Sequence, residues 1–219
     1  MLGPPSLAPV LERPAIVTDD GLHLEAELAT ADRPRAGVVL CHPHPQYGGS
    51  MQSIVIGALF AALPPAGVSC LRFNFRGVGA SEGTYDGGNL ERLDAEAAVA
   101  TLASRLDQDV AIVLAGWSFG ADMALSVRDP RVGAWLAIAP PLRLVHDLDG
   151  LSTDPRPKLL ALAQHDEVRP PAEVIEQVRP WAATDVRVVG GASHFFVGRT
   201  DRLVELALDY VDRLTGVSR

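Results

Sequence analysis

A chain of 219 residues, 47% of them hydrophobic, has enough apolar material to bury a central sheet, and one domain spanning 1–219 is expected. Its formal net charge is −8 and it has no basic run, which argues against a nucleic-acid partner and speaks for solubility rather than for a substrate class. No stretch approaches the roughly 18 apolar residues of a membrane span, so no membrane partner is expected.

The N-terminal segment 1–14 has neither a positive n-region nor a long apolar h-region, so it does not read as a signal peptide and a cytoplasmic location is expected. Ala15–Thr18 and Leu22–Ala29 follow as strand-like runs around Asp19-Asp20-Gly21, a strong hairpin signal. In the second run His23, Glu25 and Glu27 alternate with apolar residues, which predicts a half-buried antiparallel edge ribbon with His23 on its solvent face. The pattern then changes. Gly37–Cys41, Val68–Phe75, Val110–Ala115, Trp135–Ala139, Leu159–Ala163 and Val186–Val189 are short and almost continuously apolar, as strands covered on both faces are. Cys41 and Cys70 lie inside two of these runs and read as buried, reduced thiols rather than a disulfide.

Helices are expected between them. Ile54–Leu63 stops at Pro64-Pro65-Ala66-Gly67, Leu90–Leu106 is rich in Ala and Leu, and Pro171–Arg179 opens on proline. Leu203, Leu206, Ala207, Tyr210, Val211 and Leu214 fall on one face of a final amphipathic helix. A ribbon followed by alternating strands and helices implies an α/β fold with a doubly wound, mostly parallel sheet.

Gly116-Trp117-Ser118-Phe119-Gly120 matches G-x-S-x-G, after a buried strand and before a run that can start a helix. That setting makes a nucleophile elbow: a strained turn, free of bulky flanking side chains, lifts the serine above the carboxyl end of the sheet. The amide of Phe119, at the start of the helix, then points to where an oxyanion would form. A serine hydroxyl needs a base to take its proton. Three of the six histidines follow Ser118: His146, His165 and His194. His194 comes after a strand and a loop of small residues, just before the last helix, and is the expected base. His146 sits in a polar connection and reads as surface. Asp166 is the first carboxylate past the preceding strand and is the expected acid, ahead of its neighbour Glu167; His165, beside Asp166 in sequence, is not placed to reach the serine.

The strand ending at Cys41 runs into His42-Pro43-His44-Pro45-Gln46-Tyr47-Gly48-Gly49. Loops after such strands supply the second oxyanion donor. Pro43 and Pro45 have no N–H to give, which leaves the amides of His44 and Gln46. His42 and His44 could also be two metal ligands, but no third ligand follows at a usual spacing, and no metal or cofactor is expected.

Four segments, 42–51, 72–83, 116–120 and 192–196 (His-Pro-His-Pro-Gln-Tyr-Gly-Gly-Ser-Met, Arg-Phe-Asn-Phe-Arg-Gly-Val-Gly-Ala-Ser-Glu-Gly, Gly-Trp-Ser-Phe-Gly and Ala-Ser-His-Phe-Phe), together resemble a bacterial family of small α/β-hydrolases. The resemblance runs from roughly residue 15 to the C-terminus. It implies the α/β-hydrolase fold and a triad of Ser118, Asp166 and His194. It also implies that His44 supplies the loop amide, although Pro43 stands where the family usually has glycine. In the segment 76–83 the glycines read as turn formers and Arg76 as the partner of an ion pair or of a helix end.

Members of this fold often insert a cap after the strand that here ends at Ala139. The connection 140–157 is short and holds Pro140, Pro141, Pro155 and Pro157, which argues against a helical cap and for an open site, better suited to small substrates than to long lipid chains. The expected reaction is hydrolysis of a carboxylic ester or thioester of a small molecule through an acyl-serine. An acyltransferase or a peptidase could use the same triad, because the pocket and not the triad sets the substrate. A non-catalytic binding protein of this fold would have no need of all three residues.

Overall fold

The structure is a computed structural model that describes residues 10–217. Most of the segment read as lacking a signal peptide therefore lies outside the described residues. In chain order the strands are β1 (Val10–Glu12), β2 (Ile16–Val17), β3 (His23–Leu24), β4 (Ala26–Thr30), β5 (Ala36–Cys41), β6 (Val68–Phe73), β7 (Ile112–Trp117), β8 (Val132–Ile138), β9 (Lys158–His165) and β10 (Thr184–Ser193). The helices are α1 (Ile54–Ala62), α2 (Glu91–Ala103), α3 (Phe119–Ser126), α4 (Leu148–Thr153), α5 (Pro171–Val178) and α6 (Thr200–Thr215). Among the described residues no helix is long and apolar enough to cross a membrane.

Eight strands form the main sheet in the order β1-β4-β6-β5-β7-β8-β9-β10, and β2 and β3 form a separate antiparallel ribbon. From β6 to β10 every pairing is parallel, while β4 runs antiparallel to both β6 and β1. Strands β5 to β9 read as nearly unbroken apolar runs because both faces are covered. The run Val186–Val189, expected to be covered likewise, lies in the edge strand β10, where Arg187 and Val188 are exposed. Val38, Leu40, Val113 and Ala115 face α1 and α6; Val39, Cys41, Ile112 and Leu114 face α2 and α3. Cys41 and Cys70 fall on opposite faces of the sheet, free and buried, and burial pushes both thiols well up.

The chain leaves β5 for β6 on one side and returns to β7 on the other. Helix α1, after β5, therefore packs on one face and α3, after β7, on the opposite face. Their departure opens a crevice at the carboxyl ends of β5 and β7, the switch point where ligands bind in open α/β sheets.

One expectation needs correction and another is refined. The run Leu22–Ala29 is not one strand: it breaks at Glu25, between the ribbon and the main sheet. Glu25 N–H donates to Ser81 Oγ at 2.9 Å and its carbonyl accepts Asn74 N–H at 2.8 Å, while its carboxylate takes Asn74 Nδ2 and Ala80 N–H. Its polar groups hold the 74–81 loop, so Glu25 belongs to no solvent face. His23 is exposed, as expected. In the second case the connection 140–157 does form a helix, α4. The four prolines flank it, and the Asp147 side chain caps it by accepting Gly150 N–H at 3.0 Å. In the segment 76–83, Arg76 is buried between Asp94 (2.6 Å) and Asp20 (2.8 Å), tying this loop to α2 and to the ribbon turn.

Candidate active site

Strand β7 ends in Trp117, and the next residue, Ser118, has φ 55° and ψ −120°. A side chain rarely adopts this backbone, and holding it costs about 1–3 kcal/mol. Close packing on both sides fixes the turn. A Cβ on Gly116 would collide with the Gly120 carbonyl, and a Cβ on Gly120 would collide with the carbonyls of Cys41 and His42. The two glycines thus let β7, the start of α3 and the end of β5 approach one another. Ser118 N–H donates to the Ile138 carbonyl at 2.8 Å, anchoring the turn to β8.

Ser118 occupies the N-cap position of α3, yet its hydroxyl does not cap the helix. It lies 2.9 Å from His194 Nε2, and His194 Nδ1 lies 2.8 Å and 3.0 Å from the two oxygens of Asp166. All three residues are buried. Register places the last two side by side. Ser193 pairs with His165 across β10 and β9, so the next residue on each strand is His194 on one and Asp166 on the other. A bulge makes this possible: from the Val189–Ala163 pair to the Ser193–His165 pair, β10 takes four steps and β9 two. The excess is taken up at Gly190-Gly191, where Gly191 has φ +68° and its amide donates to Gln164 Oε1 at 2.7 Å. Trp117 Nε1–H donates to the His194 carbonyl at 3.1 Å and steadies the loop.

Asp166 Oδ1 also accepts the amides of Val168 (2.9 Å) and Arg169 (3.0 Å). Burial alone would raise its carboxyl, but the His194 contact and these two amides outweigh it and hold Asp166 below the ordinary carboxylate range. An ionised Asp166 selects the tautomer with the proton on Nδ1, leaving Nε2 to accept from Ser118. Glu167 and His165 both point to solvent. His146 is half-buried and its Nε2 meets the Gly88 carbonyl at 3.0 Å, away from the serine.

His44 and Phe119 line the same cavity as Ser118. Phe119 opens α3, so its amide has no carbonyl one turn back to donate to. In the other loop the Gln46 amide donates to His44 Nδ1 at 3.2 Å, which leaves the His44 amide as the free candidate of the two. The His44 ring stacks against Tyr47, Tyr85 and Phe119, and its Nε2 faces Tyr85 Oη at 3.1 Å. His42 is fully buried. Its Nδ1 meets the Pro43 carbonyl at 2.6 Å and its Nε2 accepts Phe75 N–H at 3.0 Å, with burial holding the imidazole neutral by pushing it down to about 4. Both of its nitrogens are committed inside the protein. Among the described residues no cluster of three or more metal-binding side chains forms.

Two residues that support the site have no role legible in the sequence. Asn74 accepts the Met51 amide at 2.8 Å and so binds the 74–82 loop to the turn after Gly49. It falls in the segment 72–83 that carries the resemblance, and it is a polar residue within the apolar run 68–75. Asp122, one helical turn past Ser118, is fully buried and accepts the amides of Leu142 (2.8 Å), Arg143 (2.9 Å) and Leu144 (3.0 Å). Burial pushes its carboxyl up to about 6 against the pull of these three amides. Ser126, a turn further, accepts His146 N–H at 2.9 Å, and Arg169 Nη1 reaches the Pro141 carbonyl at 2.6 Å. The connection 140–157 is thus tied down onto α3, and Pro141, Arg143 and Leu144 form one wall of an open cavity of about 580 Å³. Tyr47, Ile54 and Phe119 line it elsewhere, with Phe195 beside His194.

The fold and site geometry are those of the α/β-hydrolase class. No protein-family model matches the chain. An uncharacterized protein of Rickettsia prowazekii (strain Madrid E) is 32% identical over 199 residues, covering 86% of this chain and 84% of that protein. An α/β serine hydrolase homologue from Coxiella burnetii superposes with a TM-score of 0.78 at 33% identity, covering 91% of this chain and 96% of that one. A lidless α/β serine hydrolase from Xanthomonas campestris gives 0.75 at 27% identity, covering 97% and 96%. The chain belongs to the α/β serine hydrolase family.

Replacing Asp122 by alanine leaves the buried amide of Leu142 and the partly buried amides of Arg143 and Leu144 without their acceptor, the buried one at a cost of about 1–3 kcal/mol. The expected outcome is faster hydrogen exchange at Leu142, Arg143 and Leu144, by roughly tenfold or more, with exchange in the central strand β7 changed far less. Equal protection of those three amides in wild type and variant would mean that the connection is held by something else.

Proposed function

We propose that the chain hydrolyses a carboxylic ester or thioester of a small molecule through an acyl-serine intermediate. The observation that carries this reading is the unbroken chain of contacts from Ser118 Oγ through His194 to Asp166, mounted on a strained turn that keeps the hydroxyl from its helix. Ser118 Oγ attacks the acyl carbon while His194 Nε2 takes the hydroxyl proton, and Asp166 stabilises the imidazolium. The amides of Phe119 and His44 receive the charge that develops on the carbonyl oxygen. His194 then protonates the departing alkoxide or thiolate, leaving Ser118 acylated. Water enters, His194 takes its proton, and collapse of the second tetrahedral adduct frees the acid and restores the serine. The named Xanthomonas structure, lidless in its own description, supports an open site here as well.

Ser118→Ala should lower kcat on p-nitrophenyl esters by roughly 10⁴ or more and abolish labelling by a fluorophosphonate probe. An alanine variant with wild-type turnover would rule out the serine mechanism. Asp166→Asn keeps the shape but favours the wrong imidazole tautomer, and kcat should fall by about 10⁴, while Glu167→Gln should stay near wild type. The reverse pattern would make Glu167 the acid.

The open wall also limits substrate length. A buried methylene contributes about 0.8 kcal/mol only where a surface exists to receive it. Values of kcat/KM across p-nitrophenyl esters should peak at short acyl groups of about two to six carbons, with no rate jump at the micellar concentration of longer ones. A clear preference for acyl chains of about twelve carbons or more contradicts the open-site reading.

A further inference from the structure

Four side chains that line the cavity can readily carry charge: His44, Asp122, Arg143 and His194. His44 is packed among Tyr47, Tyr85 and Phe119 with its Nε2 on Tyr85 Oη. His194 is held between Ser118 and Asp166. Asp122 is spent on the amides of the 142–144 connection. Arg143 is different. Its backbone is fixed by Asp122, and its guanidinium is steered by one bond, from Nη2 to the Val168 carbonyl at 3.1 Å. Val168 is itself held by Asp166, so the orientation of this cation is tied to the loop that carries the triad acid.

Among the described residues Arg143 has no carboxylate partner and its remaining N–H donors have no acceptor. In a chain with an excess of acid, at −8, Arg72, Arg76, Arg156 and Arg169 all meet a carboxylate. Among the described residues Arg128 and Arg199 hydrogen-bond only to carbonyls, as Arg143 does, but neither of them lines this cavity. A net negative protein repels anions at long range; a lone, oriented guanidinium at the wall of a cleft reverses that field locally. Its planar fork also matches a carboxylate in geometry.

Resting on the serine hydrolase reading, we infer that the natural substrate carries a carboxylate at the end remote from its scissile ester, and that Arg143 recognises it. The enzyme would cleave half-esters or half-thioesters of dicarboxylic acids, or esters of similarly anionic acyl groups, in preference to neutral ones. Arg143 is a specificity residue here, and the chemistry at Ser118 is unchanged.

The test compares two substrates of equal chain length, the p-nitrophenyl monoester of adipic acid and p-nitrophenyl hexanoate. Its readout is the ratio of their kcat/KM values within each variant, so any loss common to both cancels. Wild type should favour the adipate, and Arg143→Gln should lower the ratio by about tenfold, the scale of one charge-assisted contact in a partly open cleft. Arg143→Lys should retain part of the preference, since it keeps the charge and loses the fork. The wild-type ratio should fall as salt is raised. A wild-type ratio at or below one, or a ratio untouched by Arg143→Gln, overturns the proposal while fluorophosphonate labelling of Ser118 leaves the serine reading standing. Failure to label Ser118 and to cleave either ester overturns both.

Discussion

The backbone of Ser118 is the constraint on which the remaining geometry depends. At φ 55° and ψ −120° it stands where a non-glycine residue is strained, and nothing in its own turn relieves that strain. The surroundings hold it in place: Ile138 takes its amide, and Gly116 and Gly120 let three chain segments close around it. A helix begun at an ordinary N-cap serine would bind the hydroxyl to its own first-turn amides. Here the reversed backbone turns the hydroxyl outward to His194, and the first-turn amides are left for a ligand. One local distortion therefore frees both a hydroxyl and an amide, the two groups that the proposed mechanism uses as nucleophile and oxyanion donor.

Strand register then does for the other two residues what the turn does for the serine. Asp166 and His194 are far apart in sequence but follow directly on paired residues of adjacent strands. Their alignment requires the two-residue excess at Gly190-Gly191. Without that bulge the register would slip by two residues, leaving the histidine on the same face of the sheet but about 6–7 Å along the strand from the acid. The meeting of Ser118, His194 and Asp166 is in this sense a property of the sheet, with loops supplying only the last step.

The parts legible in the sequence were those that repeat a local pattern. The apolar runs gave the parallel strands, the period of Leu203 to Leu214 gave α6, and the elbow motif, with the order of acid and base after it, gave the three residues that meet. What escaped was decided by single side chains acting across the fold. Glu25 breaks a strand because its polar groups meet Asn74, Ser81 and Ala80, none of which is near it in sequence. Helix α4 forms among prolines because Asp147 caps it. Asp122 looks like one acid in a helix, and its service to three distant amides has no periodicity to announce it. Arg143 likewise sits in a segment readable only as a short connection.

The tied-down connection has a consequence for catalysis as well as for substrate size. Enzymes with a closing lid exclude water and complete their sites when substrate binds. Here the connection 140–157 is bound to α3 through Asp122 and Ser126 and to the loop before α5 through Arg169, so this segment is held in place. The site's donors and its base must stand ready beforehand. The observed features agree on this: Asp166 is fixed by two amides before His194 is counted, His194 is held through its carbonyl by Trp117, and His44 is wedged among three aromatic rings between two prolines. Rigidity of this kind replaces closure as the source of preorganisation, and it costs no conformational change in each turnover. It also leaves recognition to whatever fixed groups line the open wall, which is why one oriented cation there can weigh so heavily in what the site selects.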